Sequence, residues 1–280
     1  MSAYKTIVYE IDPNNRAVCR ITMNRPDKKN CIDRKMAVEL IDAFRKTREE
    51  ESITVVVLGG AGGTFCSGGD LSIFPSLADH RAGLNWLAHE GLDIQRAIAD
   101  CEAVVICRIE GHCLAGGLEL ALACDLLYAK ESAKLGITEI NMGALPGWGG
   151  TTRIVRSIPV FQAREIIYSG RRDYSARELY EKGLLTRVFS DDEFDKEFEG
   201  IVANISSKSP IAIRMGKEVM ARSFEGCSVE TMLALERNSI QWLTNSPEVQ
   251  GVFAKFKEAP DGFTKAQKAS TEKTDTGKSP

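Results

Sequence analysis

Glu119 is the residue whose type and surroundings most directly suggest chemistry. It lies in Cys113–Ala129, CLAGGLELALACDLLYA, an apolar run whose carboxylates are Glu119 and Asp125 alone, and it follows a Gly-Gly pair by two residues. A carboxylate embedded in such a run is costly to ionise unless something pairs with it. Desolvation raises a carboxyl pKa, and a raised pKa suits general acid–base work near neutrality. A second role fits the same position: a glutamate at a helix start stabilises the helix dipole while facing solvent.

Two glycine-rich segments bear on that choice, GGAGGTFCSGGD at 59–70 and GHCLAGG at 111–117. A dinucleotide fingerprint started at Gly60 and Gly62 puts Phe65 where the last glycine belongs, and no lysine follows to make a P-loop, so nucleotide binding is disfavoured. Glycine lets backbone N–H groups approach a ligand closely. Two such loops, each after a buried strand, can aim one N–H apiece at a shared point and form an oxyanion hole. They can also serve simply as tight strand-to-helix turns.

The elements that must position these loops read as an α/β layer structure with parallel pairing. Thr6–Glu10 and Ala17–Met23 alternate as strands around the turn residues Asp12-Pro13-Asn14-Asn15, a hairpin signal. A helix starts near Asp33, with Met36, Leu40, Ile41 and Phe44 on one face. Ile53–Leu58 and Val104–Ile109 are short β-branched runs expected to be buried on both faces, and each enters one of the glycine loops. Leu118–Ala123 begins a helix, and Asp125–Ala129 and the region of Leu135 read as strand. After Asp191 the pattern turns helical at Phe194–Ser206, Pro210–Ser223, Val229–Leu243 and Pro247–Phe256. The expected organisation is a core over 1–190, a helical region over 191–263 and a disordered tail over 264–280.

Bulk properties narrow the function classes. At 280 residues, 43% hydrophobic and 27% charged, with a formal net charge of −3, the chain gives no electrostatic reason to expect nucleic acid or an anionic membrane as partner. No apolar run approaches a membrane span, and the N-terminus has no signal core, so a cytoplasmic location is expected. The eight cysteines form no CxxC pair and have no metal-ligand spacing with the three histidines. They read as buried reduced thiols, with no metal site.

Taken together, NRPDKKN (24–30), GTFCSGGDL (63–71), GHCLAGGLELALACDLLYA (111–129), LGITEINMGALPGWGGTTR (135–153) and SPEVQGVFAKFKE (246–258) resemble the crotonase, or enoyl-CoA hydratase, superfamily. The resemblance implies a spiral of repeated ββα units with a C-terminal helical region that builds a homotrimer or a dimer of trimers. It implies an acyl-CoA thioester substrate, coenzyme A being part of the substrate, and no separate cofactor. The thioester oxygen would be held by two backbone N–H groups, by position those of Ser67 and Gly116. Lys29, Cys31, Gly68, Asp70 and Trp148 fall where relatives contact substrate or order the first loop, and Lys28 lies beside them. Phe74, Leu77, Leu84, Trp86 and Leu87 fall where relatives line the acyl pocket, a place core residues also fill.

By the same resemblance Glu119 and Glu139 match the two catalytic glutamates of hydratases. Adding water across an α,β-unsaturated thioester takes one proton from water and gives one to the α-carbon, and two carboxyls around one water can divide those tasks. Glu119 would activate the water and Glu139 would exchange the α-proton. A helix-capping role or a pairing with Arg153 is the other reading of Glu139. Thr138, Leu118 and Trp148 depart from the family pattern, where proline, a smaller residue and a small residue are usual. An aromatic at 148 would narrow a linear-chain pocket or stack on a cyclic acyl group, or face away. Hydration of an enoyl- or dienoyl-CoA is therefore the leading expectation. Another crotonase reaction (isomerisation, thioester hydrolysis or ring cleavage) and a non-catalytic binding role stand behind it.

Overall fold

The computed structural model describes residues 4–70, 72, 89–224 and 226–258. The chain opens with the expected hairpin: β1 (Ile7–Ile11) pairs antiparallel with β2 (Val18–Met23). Asp12 starts the turn, its carboxylate accepting from the Asn14 N–H at 2.9 Å. Helix α1 (Arg34–Lys46) begins where Asp33 caps it, accepting from the Met36 N–H at 2.8 Å. It buries Met36, Leu40 and Phe44, spaced as one face of a helix requires. Then follow β3 (Val55–Gly60), α2 (Gly91–Ala99), β4 (Val104–Ile109), β5 (His112–Leu114), α3 (Gly116–Ala121), β6 (Leu126–Lys130) and β7 (Lys134–Gly136). The core closes with α4 (Gly150–Ser157), α5 (Val160–Ser169), β8 (Tyr174–Ser175), α6 (Ala176–Glu181) and β9 (Arg187–Phe189).

The strands form a six-stranded sheet in the order β1-β2-β3-β4-β6-β9 and a three-stranded sheet in the order β5-β7-β8. Apart from β1, every pairing in the larger sheet is parallel. Successive passes of the chain place one strand in the large sheet and one in the small before a helix: β4, β5 and α3, then β6, β7 and the helices beyond. This is the expected α/β spiral of ββα units.

Burial of the central strands on both faces has a structural cause. One face packs on α1 and α2 through Met36, Leu40, Ile94 and Ile98. The other carries Val55, Val57, Ile106 and Tyr128, which are covered by Phe194, Phe198 and Val202 of α7 (Phe194–Ser206). The helical region was expected to begin at 191, but α7 belongs to the core because these side chains seal the sheet. Two compact units divide between Arg214 and Met215. The second holds the end of α8 (Pro210–Arg222) with α9 (Val229–Thr244) and α10 (Pro247–Glu258). Seven cysteines are buried free thiols as expected, and Cys227 is exposed. The expected tail at 264–280 and the pocket candidates Phe74, Leu77, Leu84, Trp86 and Leu87 lie outside the described residues.

The first glycine loop is tied down by Asn30, which is fully buried. Its amide donates to the carbonyls of Ala61 and Thr64 at 2.9 and 2.7 Å and accepts from the Arg25 N–H at 2.9 Å. Removing this side chain leaves buried backbone groups without partners, at about 1–3 kcal/mol each. Asn30→Ala is therefore expected to lower unfolding free energy by about 2–4 kcal/mol in urea denaturation. A change within about 0.5 kcal/mol, as for an ordinary surface site, would contradict this anchoring role.

Candidate active site

Both glycine loops empty into one cleft of about 720 Å³, lined in part by Ser67, Gly69, Gly116, Glu119, Glu139 and Trp148. Local backbone explains how the loops meet. Ile32 and Gly69 form a parallel bridge in which Ile32 N–H donates to the Gly68 carbonyl and Asp70 N–H to the Ile32 carbonyl. The N–H of Gly69 itself then points away from that partner, as parallel pairing requires. Cys66 and Cys113 bridge in the same way, so the second loop is hydrogen-bonded to the first. Gly68, at φ +103°, has no room for a side chain: a Cβ there would lie 2.9 Å from the Ala115 Cβ and 3.3 Å from the Gly116 nitrogen. Ala115 adopts φ 50° and ψ −128° ahead of α3, strain worth about 1–3 kcal/mol for a residue with a Cβ. Helix α3 thus starts at Gly116, where N–H groups lack intrahelical acceptors.

The expected donors fare differently. Gly116 lines the cleft at the free N-terminus of α3. Ser67 also lines the cleft, but its N–H donates to the Lys29 carbonyl at 3.0 Å and is not available to a ligand. Of the two residues of this loop that line the cleft, Gly69 is the one whose N–H has no acceptor among the described residues. Sequence spacing alone could not separate Ser67 from Gly69, because the distinction comes from bridge register.

The other expected contacts divide as well. Cys31 and Trp148 line the cleft, as does Lys28, whereas Lys29, Gly68 and Asp70 are outside its lining. Lys29, at φ 50°, turns its carbonyl toward Ser67. Gly68 serves the close approach of the two loops. Asp70 is bound by Arg25 at 2.9 Å and by the Ser72 hydroxyl at 2.6 Å. Hydrogen bonds from Ser72 and then Arg25 hold its carboxyl down at about 2, as an ionised anchor for the loop. Arg172 joins Lys28 in the lining, and no sequence motif singled it out.

The two glutamates, twenty residues apart in the chain, are brought together. Glu119 is 2% exposed, so the solvent-facing reading does not hold. Its Oε1 accepts from the backbone N–H groups of Trp148 and Gly150, each at 2.8 Å. Glu139 opens a short 3-10 turn, Glu139–Met142, and its Oε2 accepts from the Thr138 N–H at 2.9 Å. The carboxyls also hydrogen-bond to each other. Burial, then the Glu139 charge, pushes Glu119 up to about 8, against the pull of the two N–H donors. Burial raises Glu139 too, while the Glu119 hydrogen bond favours its anion. Glu119 therefore keeps its proton near neutrality, with the Glu139 carboxyl as its neighbour. Arg153, offered as a partner for Glu139, has no carboxylate within ion-pair distance among the described residues. It is largely desolvated, with its charge felt by Glu119.

Residues 13–266 match the enoyl-CoA hydratase/isomerase family model. The chain is 34% identical over 228 residues to human mitochondrial enoyl-CoA hydratase domain-containing protein 2, covering 78% of this chain and 77% of that protein. It is 36% identical over 231 residues to the putative enoyl-CoA hydratase/isomerase YngF of Bacillus subtilis, covering 81% and 86%. Among solved structures, an enoyl-CoA hydratase from Bacillus anthracis superposes with a TM-score of 0.84 at 31% identity, over 91% of this chain and 96% of that one. The chain belongs to the enoyl-CoA hydratase/isomerase family of the crotonase superfamily.

A raised Glu119 pKa links the site to stability. The folded state holds this proton more tightly than the unfolded chain, so its stabilising contribution is full below the ordinary glutamate range. It is lost as pH rises through about 8. Glu119→Gln keeps an acceptor for the two N–H groups without the buried charge. It is expected to melt above the parent at alkaline pH, by about 3 °C for each kcal/mol recovered, and to narrow that gap in acid. Equal melting temperatures across the range would contradict the buried charge. Gly150→Ala places a Cβ 2.8 Å from Glu119 Cγ and Oε1. It is expected to cost about 100-fold in turnover, and steady-state kinetics would show it.

Proposed function

We propose that this protein hydrates the α,β double bond of an enoyl-CoA thioester, reversibly. The observation that carries the reading is the buried Glu119 carboxyl beside Glu139, set in the same cleft as the N–H groups of Gly69 and Gly116. A water entering between the carboxyls separates them and relieves the Glu139 charge that keeps the proton on Glu119. The two N–H bonds to Oε1 continue to favour the Glu119 anion, so the proton can pass to Glu139 through the water. Glu119 then takes a proton from the water as its oxygen bonds to the β-carbon. The π electrons shift toward the thioester, whose oxygen gains charge opposite the Gly69 and Gly116 N–H groups, each worth about 3–4 kcal/mol to the transition state. Collapse of this enolate draws the proton of Glu139 onto the α-carbon. One proton leaves the pair from Glu139 and one enters it at Glu119, so the pair ends the cycle in the protonation state in which it began.

Lys28 and Arg172 give the cleft two cations suited to the phosphates of coenzyme A. Neither the pair nor the backbone donors calls for a separate cofactor. The exposed Leu233, Ile240 and Trp242 of α9 offer an apolar surface for assembly, for which the family resemblance implies a homotrimer or dimer of trimers. A double-bond shift is the second reading. A carboxyl pair can move a proton between two carbons, and the chain is 30% identical over 236 residues to a peroxisomal dienoyl-CoA isomerase of Arabidopsis thaliana, covering 80% of this chain and 84% of that protein.

Incubation with crotonyl-CoA is expected to bleach the enoyl-thioester absorbance and yield a 3-hydroxyacyl product. Glu119→Gln and Glu139→Gln should each lower turnover by about 10²–10⁴-fold while still binding acyl-CoA. A shifted double bond without water uptake would replace hydration by isomerisation. Near-parental rates in either variant would overturn the two-carboxyl mechanism. The parental rate is also expected to fall above about pH 8, as the shared proton is lost.

A further inference from the structure

Trp148 contributes more to the cleft than its backbone N–H. Its side chain is 3% exposed yet lines the cleft, so it forms a fixed wall and not a mobile surface group. Two glycines, each the first residue of a helix, make its position possible. A Cβ on Gly91, at the start of α2, would lie 2.1 Å from the indole Nε1 and 2.4 Å from Cδ1. A Cβ on Gly116, at the start of α3, would lie 2.6 Å from Cζ3 and 2.7 Å from Cε3. The five-membered ring thus lies against one helix start and the six-membered ring against the other. The indole fills the gap between them.

That gap adjoins the reacting centre. Gly116 is the residue whose N–H faces the thioester oxygen, and the Trp148 N–H holds Glu119 Oε1 at 2.8 Å. The ring therefore lies beside the position of the acyl α- and β-carbons. It closes the side of the cleft on which it stands. Buried aromatic walls of this kind are rigid, because close packing leaves no alternative rotamer without displacing neighbours.

We propose that Trp148 is a specificity-determining residue that confines the acyl group to short chains, crotonyl in size. The inference rests on the acyl-CoA reading of the cleft. Hydrophobic discrimination by pocket size is worth about tenfold or more per methylene that has no room. A longer chain that meets the indole can extend past it only by forcing it out from between Gly91 and Gly116.

The test is calorimetric binding of the saturated ligands butyryl-CoA and octanoyl-CoA to the parent, Trp148→Phe and Trp148→Ala, a readout that does not require turnover. The parent is expected to favour butyryl-CoA by at least about tenfold. Trp148→Ala should abolish or invert that preference, and Trp148→Phe should fall between. Equal affinities in the parent, or an unchanged ratio in the folded variants, would overturn the proposal. If the alanine variant does not fold, the phenylalanine variant decides, since a smaller ring must still relax the ratio. Crotonyl-CoA hydration measured alongside separates the two claims. Length-selective binding without hydration would refute the hydratase reading and leave the size limit standing. Hydration without length selectivity would do the reverse.

Discussion

The cleft depends on two backbone N–H groups, those of Trp148 and Gly150, converging on one oxygen of a buried carboxyl. Without them, Glu119 would be a desolvated acid with every reason to stay neutral or to turn toward water. With them, one oxygen is fixed and the other is left to share a proton with Glu139. Opposing influences meet at this point: burial and the neighbouring charge raise the pKa, and the donors lower it. The balance puts ionisation near neutrality, where a group can give and take a proton within one cycle. Gly150 is required by the same constraint, since the Glu119 side chain occupies the space of its missing Cβ.

Close backbone approach is the second constraint, and the fold is arranged to provide it. The spiral lays β3 and β4 side by side in parallel, so the loops that leave them emerge at the same edge of the sheet. There, Gly68 and Gly117 let the two loops touch with no side chain between them: a Cβ on Gly117 would lie 2.4 Å from the Cys66 carbonyl oxygen. Parallel-bridge geometry then turns the Gly69 N–H away from Ile32. The strained Ala115 starts α3 with its first N–H groups unpaired. Asn30, Arg25 and Asp70 hold the first loop from behind, and their interactions are with protein and not with the cleft. The cost of Ala115's conformation and of the buried acid is carried by the sheet, whose two faces are sealed by α1 and α2 on one side and α7 on the other.

Much of this was legible in the residue order. Period-two and period-3.6 patterns located the strands and helices to within a few residues, because the apolar faces they mark are the faces that pack. Glu119 stood out because an acid in an apolar run is costly wherever it lies. Less legible were the features that depend on register and side-chain direction. Whether Ser67 or Gly69 offers its N–H is decided by which of them faces Lys29, a relation between strands that no local pattern encodes. Lys29 was placed among the substrate contacts by resemblance, yet its carbonyl is bound to Ser67, while Asp70 orders the first loop as the resemblance implied. Arg172 belongs to no motif and reaches the cleft only through the fold. Assignment of α7 to the helical region followed its helical period correctly. Its place on the sheet rests on Phe194 and Phe198 meeting Tyr128, a long-range contact outside the reach of periodicity.

The most direct test of the account is isotope-edited infrared spectroscopy of the protein labelled at glutamate carboxyls. The account predicts a protonated-carboxyl C=O band at neutral pH that disappears as pH rises through about 8. The same band should be absent from Glu119→Gln. A neutral-pH spectrum with every glutamate ionised would contradict it, because the pair would then hold no proton to give to the α-carbon.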